Sequence, residues 1–554
     1  MLKGLRIQNF KGLEGPIDVP IKPVTLLFGV NSAGKSSVLH SLHFMRSVLD
    51  QYDLDPSGSP FAADDIDLGG FFNLLHKHLP GRRMVLGYSL DLSKTDLPEY
   101  GATTALSVSE GVHAAYVEFG FSLDEHDRLP RLDYYLVGLN DQDVALVMPD
   151  EVRTSDGRAR TAFIDVRHPL LASLAQSNED GENGLLPTAQ LCLRKLIPIS
   201  PADAAARPLS KDPEEEEQRK VHELEEYRTH RTHRDLLSYQ LQGFLNGLPR
   251  WGKLVSLGGE GDSEEEEVEE EEEEDDVNVI SLQVLTELTV GPVEILRNIL
   301  GSARAVGPLR SIPPRRLALD SHAKESDWYG GLAAWQRLYE CSEVQLQEVS
   351  DWLMSPTRLG TGYGLSRIVA REVPEKLLAE LMNGTATNLT GDIADLKRLP
   401  VAKRVLLVDT LNSVQVTPHD VGVGLSQLIP VVVAALDRVG ELLLVEQPEL
   451  HIHPRVQVGL GDLFLEASHE YGRSFLIETH SEAMLLRMMK RIRQTQDDEL
   501  PPGGIAASVD DVAVCLLQNE GHGVTVTQMQ MNRRGEFTKP WPRGLFEESL
   551  RETF

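Results

Sequence analysis

A chain of 554 residues is longer than one compact domain usually needs and long enough to bury a large core. Charged residues make up 25% and hydrophobic ones 41%, an ordinary globular composition. The net charge of −31 makes the surface as a whole repel nucleic acid, so global charge gives DNA binding no support, although a local basic patch stays open.

The opening MLKGLRIQNFKGLEG lacks the apolar core of a signal peptide, and no apolar run approaches 18 residues. A soluble, cytoplasmic protein without membrane contact is expected. Cys192, Cys341 and Cys515 are far apart and match no metal or disulfide spacing, which fits free or buried thiols in a reducing compartment.

In chain order, LRIQNF alternates as a strand and VTLLF is a short apolar run suited to a buried strand. A glycine-bearing loop and the helical pattern KSSVLHSLHFMRSVL follow. RMVLGYSLDL, AAYVEFGFSL and LDYYLVGL, divided by polar turns, predict an antiparallel sheet. Residues 1–170 therefore read as the first half of an α/β head. Residues 171–300 are expected to be a mostly helical insertion, with EEEEQRKVHELEEYRTHRTHRDLLSYQLQGFL its clearest stretch. It contains an acidic, self-repelling tract at 261–278 that is expected to be disordered. Strand chemistry returns with RVLLVDTL, ELLLVEQ and SFLIETH, so 301–500 read as the second half of the head. Residues 501–554, with the strand-like VAVCLLQ, complete it. With Gly29, Gly34, Lys35 and Ser36 in the phosphate-binding pattern G-x-x-x-x-G-K-[ST] between the second strand and the first helix, the fold class predicted is α/β, a phosphate-loop ATPase head split in sequence by the insertion.

Gly29-Val30-Asn31-Ser32-Ala33-Gly34-Lys35-Ser36 fits G-x-x-x-x-G-K-[ST] between a predicted strand and helix. Backbone amides of Asn31, Ser32, Ala33, Gly34, Lys35, Ser36 and Ser37 can converge on phosphates at the helix start. Lys35 should reach the β and γ phosphates of ATP and Ser36 should ligate Mg²⁺. Leu442-Leu443-Leu444-Val445 runs into Glu446-Gln447-Pro448-Glu449, and a carboxylate at such a strand end can hold Mg²⁺ through water.

Together these features resemble the SMC, RecF and OLD ATPases of the ABC type. Their acidic strand carries D-E-P-E, two variable residues and L-H-P, whereas this chain has E-Q-P-E-L-H-I-H-P. Anchored on Pro448 and His453-Pro454, the resemblance puts Glu446 on the magnesium-side aspartate and Gln447 on the glutamate that activates water. An amide can orient water but cannot take its proton at neutral pH. Either hydrolysis is slow and switch-like, or Glu449 serves as the base. The family's γ-phosphate histidine falls on His480, in LIETHSE. Its signature, which binds the γ-phosphate held by the opposite protomer, falls on HDVGVGLSQ, with Gly422, Gly424 and Ser426 as candidates. The resemblance thus implies an ATP-dependent homodimer at least.

DLGGFFNLLHKH at 67–78, VGPLR at 306–310 and the segment from Gly535 to Phe554 resemble ATPase components of bacterial anti-phage defence pairs, Septu-like or retron-linked. There a separate nuclease or toxin is the effector. OLD nucleases add a Toprim domain with Glu and Asp-x-Asp ligands, and no Asp-x-Asp follows His480, so an intrinsic Toprim nuclease is not expected. A RecF-like repair ATPase that binds DNA, and a scaffold held together by ATP with little turnover, remain alternatives. His222, His230 and His233, with Arg228, Arg231 and Arg234, read more simply as a solvated helix or an intersubunit contact than as a nucleic-acid or metal contact.

Overall fold

The structure, a computed structural model, describes residues 1–56, 66–100, 111–124, 128–149, 160–165, 168–170, 236–257, 282–313, 325–371, 373, 375–383, 399, 401–519 and 523–541. The acidic tract, Cys192, the histidines and arginines of 222–234 and residues 542–554 lie outside the described residues.

Nine antiparallel strands form the first sheet: β1 (Leu2–Gln8), β2 (Ile17–Pro20), β4 (Met84–Asp91), β5 (Ala114–Leu123), β6 (Pro130–Leu139), β7 (Gln142–Pro149), β8 (Arg160–Asp165), β9 (Leu236–Gln242) and β12 (Ser256–Leu257). Their order is β12-β9-β8-β7-β6-β5-β4-β1-β2. The second sheet has six strands: β3 (Val24–Gly29), β13 (Arg304–Val306), β17 (Leu442–Glu446), β18 (Ser474–Glu478), β19 (Val512–Asn519) and β20 (Val524–Gln528). Its order is β13-β17-β18-β3-β19-β20, parallel except for β20. A hairpin of β10 (Phe244–Leu245) and β11 (Leu248–Pro249) and a ribbon of β14 (Tyr363–Arg371), β15 (Val401–Asp409) and β16 (Val414–Val416) complete the strands.

Helices α1 (Lys35–Gln51) and α2 (Gly291–Ser302) lie between the two sheets. The far face of the parallel sheet is covered by α3 (Leu332–Glu340), α4 (Glu343–Met354), α5 (Val423–Leu436), α6 (Pro454–Tyr471) and α7 (Glu482–Gln496). Alternate side chains of each central strand serve the two cores. Leu27, Leu442, Leu444 and Leu476 join α1, α2 and the nine-stranded sheet. Phe28, Leu443, Val445 and Ile477 join the outer helices. Coverage on both faces explains why VTLLFG, LLLVE and SFLIE are buried throughout and read as unbroken apolar runs.

The helical reading of the insertion fails where the chain re-emerges. Leu236–Gln242 is a strand, β9, paired with β8 from Arg160↔Leu241 to Asp165↔Leu236, and Phe244–Leu245 is β10. The reason is a long-range partner: β8 offers an open edge, and pairing with it outweighs the helical character of the charged segment before it. Among the described residues, no helix is long and apolar enough to cross a membrane.

Candidate nucleotide site

The turn after β3 uses conformations that most side chains avoid. Ser32 has φ 64° and Gly34 φ 88°, and a Cβ on Gly29 would sit 2.5 Å from the Leu517 carbonyl oxygen. The loop is thereby folded back over the start of α1, and Lys35 and Ser36 stand on the helix's first turn. Lys35 is 3% exposed. Its ammonium donates to the carbonyls of Gly29 at 3.0 Å and Val30 at 3.1 Å, and lies 3.9 Å from Glu478 Oε1.

β18 lies between the phosphate-loop strand β3 and the acidic strand β17, with Glu446 directly opposite Glu478. Both carboxylates are buried. The Ser36 hydroxyl donates to Glu478 Oε2 at 2.7 Å, and the Tyr329 hydroxyl donates to Glu446 Oε1 at 3.0 Å. Burial, then the neighbouring Glu478 charge, pushes the Glu446 carboxyl up to about 7, against the pull of Tyr329 and Arg310. Burial also raises Glu478, which Ser36 and Lys35 hold back, and lowers Lys35. Ser36, Glu446 and Glu478 are all hard oxygen donors, the chemistry that suits Mg²⁺.

Gln447 follows with φ 43°, and its N–H donates to the Glu478 carbonyl at 2.8 Å. Glu449 accepts from Thr479 Oγ1 at 2.8 Å and from the His480 N–H at 2.7 Å. This clamp joins the turns after the two acidic strands, and burial raises the Glu449 carboxyl. The His480 ring is exposed at the site's rim, and burial of its inner part with the nearby Lys35 charge lowers its affinity for protons. Ser481 caps α7 by accepting from the Met484 N–H at 3.1 Å.

Arg310 ties the acidic strand to α5. Its guanidinium donates to the carbonyls of Glu446 at 2.7 Å, Gln447 at 3.1 Å and Gln427 at 3.3 Å. Its N–H donates to Gln427 Oε1 at 2.8 Å, and the Gln427 amide returns a bond to the Arg310 carbonyl. Arg310→Ala leaves three carbonyls without this donor inside the protein. A loss of about 3 kcal/mol or more is expected, read from the denaturant midpoint; a change within error would show the tie to be energetically idle.

A sequence family described as "AAA domain, putative AbiEii toxin, Type IV TA system" matches residues 218–486. That span holds the start of α5, Glu446 and His480, and begins after the phosphate loop. No curated protein matches the chain. Among solved structures, the SMC head domain from Thermotoga maritima is similar at 8% identity, with 96% of this chain and 99% of that one covered and a TM-score of 0.33. An SMC head with an extended coiled coil, bound to the C-terminal domain of ScpA and derived from Pyrococcus furiosus, is similar at 11% identity, 100% and 98% coverage and a TM-score of 0.36. The chain has an α/β fold in which a phosphate-loop sequence joins the central parallel strand β3 to α1.

The head brings Lys35, Ser36, Glu446, Gln447, Glu449 and His480 to one end of the parallel sheet. The signature candidates divide. Gly422 caps α5 at an exposed position beside Val423, which is 52% exposed. Gly424 is a packing position, since a Cβ there would come within 2.4 Å of the His451 carbonyl oxygen. Ser426 is corrected: it is fully buried, one turn inside α5, and its hydroxyl donates inward to the Pro418 carbonyl at 3.0 Å. It cannot present that hydroxyl to an opposite protomer. Glu478, Arg310 and Tyr329 were not legible as site residues. Glu478 and Arg310 lie within LIETHSE and VGPLR, but only the strand register and the closed loop show what they touch.

Glu446 also gives the site a pH dependence. An unfolded glutamate loses its proton near 4.5, whereas the folded one holds it to about 7. Ionising Glu446 in the fold therefore costs stability as pH rises between those values, and none below both. A bound cation favours the ionised form, so metal-dependent ATP affinity is expected to rise as pH passes through about 7. A fluorescence titration of Glu446→Gln should show that rise flattened; an unchanged slope would exclude Glu446 as its source.

Proposed function

We propose that the chain is an ATP-binding, slowly hydrolysing switch ATPase that controls a separately encoded nuclease or toxin effector in bacterial anti-phage defence. The observation that carries the switch reading is Gln447, an amide where the resemblance places the water-activating glutamate, beside an otherwise well-furnished phosphate site. Lys35 would exchange its present carbonyl partners for phosphate oxygens, and Ser36 and Glu446 would hold Mg²⁺, which neutralises triphosphate charge when bound. The exposed start of α5 at Gly422 supports a head-to-head dimer closed by ATP, because amides at a helix start favour an anion brought by a partner.

The defence assignment rests on the resemblance of three segments. Two of them bear on the nucleotide site. VGPLR supplies Arg310, and DLGGFFNLLHKH supports the opening loop through Lys11 N–H to the Leu74 carbonyl at 2.6 Å and His76 Nδ1 to the Lys11 carbonyl at 2.8 Å. Lys11 in turn meets His40 Nδ1 on α1 at 2.9 Å. Gln447 equally favours a second reading, an ATP-held scaffold with little turnover.

Native mass spectrometry of the protein purified with the products of its neighbouring genes, with and without ATP, tests the proposal. A defined complex with a nuclease-like or toxin-like protein is expected. An ATP-dependent dimer with no companion would overturn the effector reading.

A further inference from the structure

Glu478 lies on the strand that separates the phosphate-loop strand from the acidic strand, level with Glu446 on one side and Leu27 on the other. It is 4% exposed. A carboxylate is rarely buried so deeply without a task or a full charge partner. Among the described residues, the cation paired with it is Lys35, which stands 3.9 Å away and is shared with two loop carbonyls.

The contact that defines Glu478 is with Ser36, whose hydroxyl donates to Oε2 at an oxygen–oxygen distance of 2.7 Å. A serine hydroxyl has one hydrogen and two lone pairs. Spending the hydrogen on Glu478 leaves the oxygen free to act purely as a donor of lone pairs, the form a hard cation needs. The placement of charge points the same way. Glu478 faces Glu446 across the sheet beside the phosphate loop, and a divalent cation entering with the triphosphate would favour the ionised form of both carboxyls.

We propose that Glu478 is a metal-positioning residue which, through Ser36, makes nucleotide binding conditional on a divalent cation. The inference rests on the reading of this end of the sheet as an ATP site. Glu478 has two effects that oppose each other: it orients the Ser36 oxygen towards the cation, and it disfavours triphosphate that arrives without one.

The test is a fluorescence titration of the full-length chain with an N-methylanthraniloyl ATP analogue, in Mg²⁺ and in excess EDTA. Wild type, Glu478→Gln and Lys35→Ala are compared. Glutamine keeps the shape but offers Ser36 only a neutral amide, a weaker acceptor than the carboxylate, so thermal melting should be close to wild type while the hold on the Ser36 oxygen loosens. The ratio of Kd in EDTA to Kd in Mg²⁺ should fall about tenfold in Glu478→Gln, with binding weaker in Mg²⁺ and no weaker in EDTA. Mn²⁺ electron paramagnetic resonance should show less cation retained with ADP. An unchanged ratio in Glu478→Gln would overturn the proposal. Should that variant fail to fold, Glu478→Asp, whose shorter reach loses Ser36, must show the lowered ratio instead. A wild type that binds nucleotide under neither condition, indistinguishable from Lys35→Ala, would sink the ATP-site reading itself rather than the role of Glu478 within it.

Discussion

Replacing Lys35 by alanine is expected to abolish nucleotide binding at concentrations that saturate the wild type, a loss of about a hundredfold or more. The side chain is nearly inaccessible, and its ammonium is already desolvated and aimed into the loop, between the carbonyls of Gly29 and Val30. Little reorganisation is then needed to trade two carbonyl oxygens for phosphate oxygens, which bind an ammonium more strongly. Alanine removes the charge and also the tie that closes the loop over α1, while Glu446 and Glu478 remain to repel the ligand. Isothermal titration calorimetry with ATP and Mg²⁺ gives the answer directly. Undiminished affinity would mean that this loop is not where ATP sits.

Gln447→Glu should act in the opposite direction, raising steady-state ATP turnover by about a hundredfold, the lower range of what a placed general base supplies. The change adds a proton acceptor without altering shape. The backbone at this residue is already committed: φ is 43°, the N–H is bonded to Glu478 and the carbonyl to Arg310. Glutamate inherits that conformation with no strain beyond what glutamine bears. An unchanged rate would point instead to Glu449 as the base. That residue would first have to release Thr479 and His480, which both donate to its carboxylate. Single-turnover measurement of phosphate release separates this result from a change in ATP binding.

The central sheet was legible because parallel strands covered on both faces announce themselves as apolar runs, and the phosphate loop because its glycines and Lys35 recur at fixed spacing. β9 was not, because LLSYQLQ follows a long charged stretch with helical character and becomes a strand only through its distant partner β8. The same limit applies to the site. Glu446 could be placed by its position after four apolar residues, whereas Glu478 acquires meaning only from its register with Glu446 across two parallel strands. Tyr329 and Arg310 depend on how the chain around Gly307 closes, where the Gly307 N–H donates to the Tyr329 carbonyl and a Cβ would strike the tyrosine ring at 2.7 Å. Ser426 misled for a related reason: a serine in a signature-like string does not reveal which way its helix is turned.

The pairing of β8 with β9 sets a boundary condition on everything between them. The chain leaves at Asp165 and returns at Leu236, its direct neighbour across the sheet. Whatever lies between them, residues 166–235 join two points that the sheet holds side by side. The entropic penalty for such a connection grows only with the logarithm of its length, about 0.6 kcal/mol for each doubling. Natural selection can therefore lengthen or shorten the connection beyond Leu170 at little thermodynamic cost, whereas His168 and Leu170, buried against the sheet, stay tied to it.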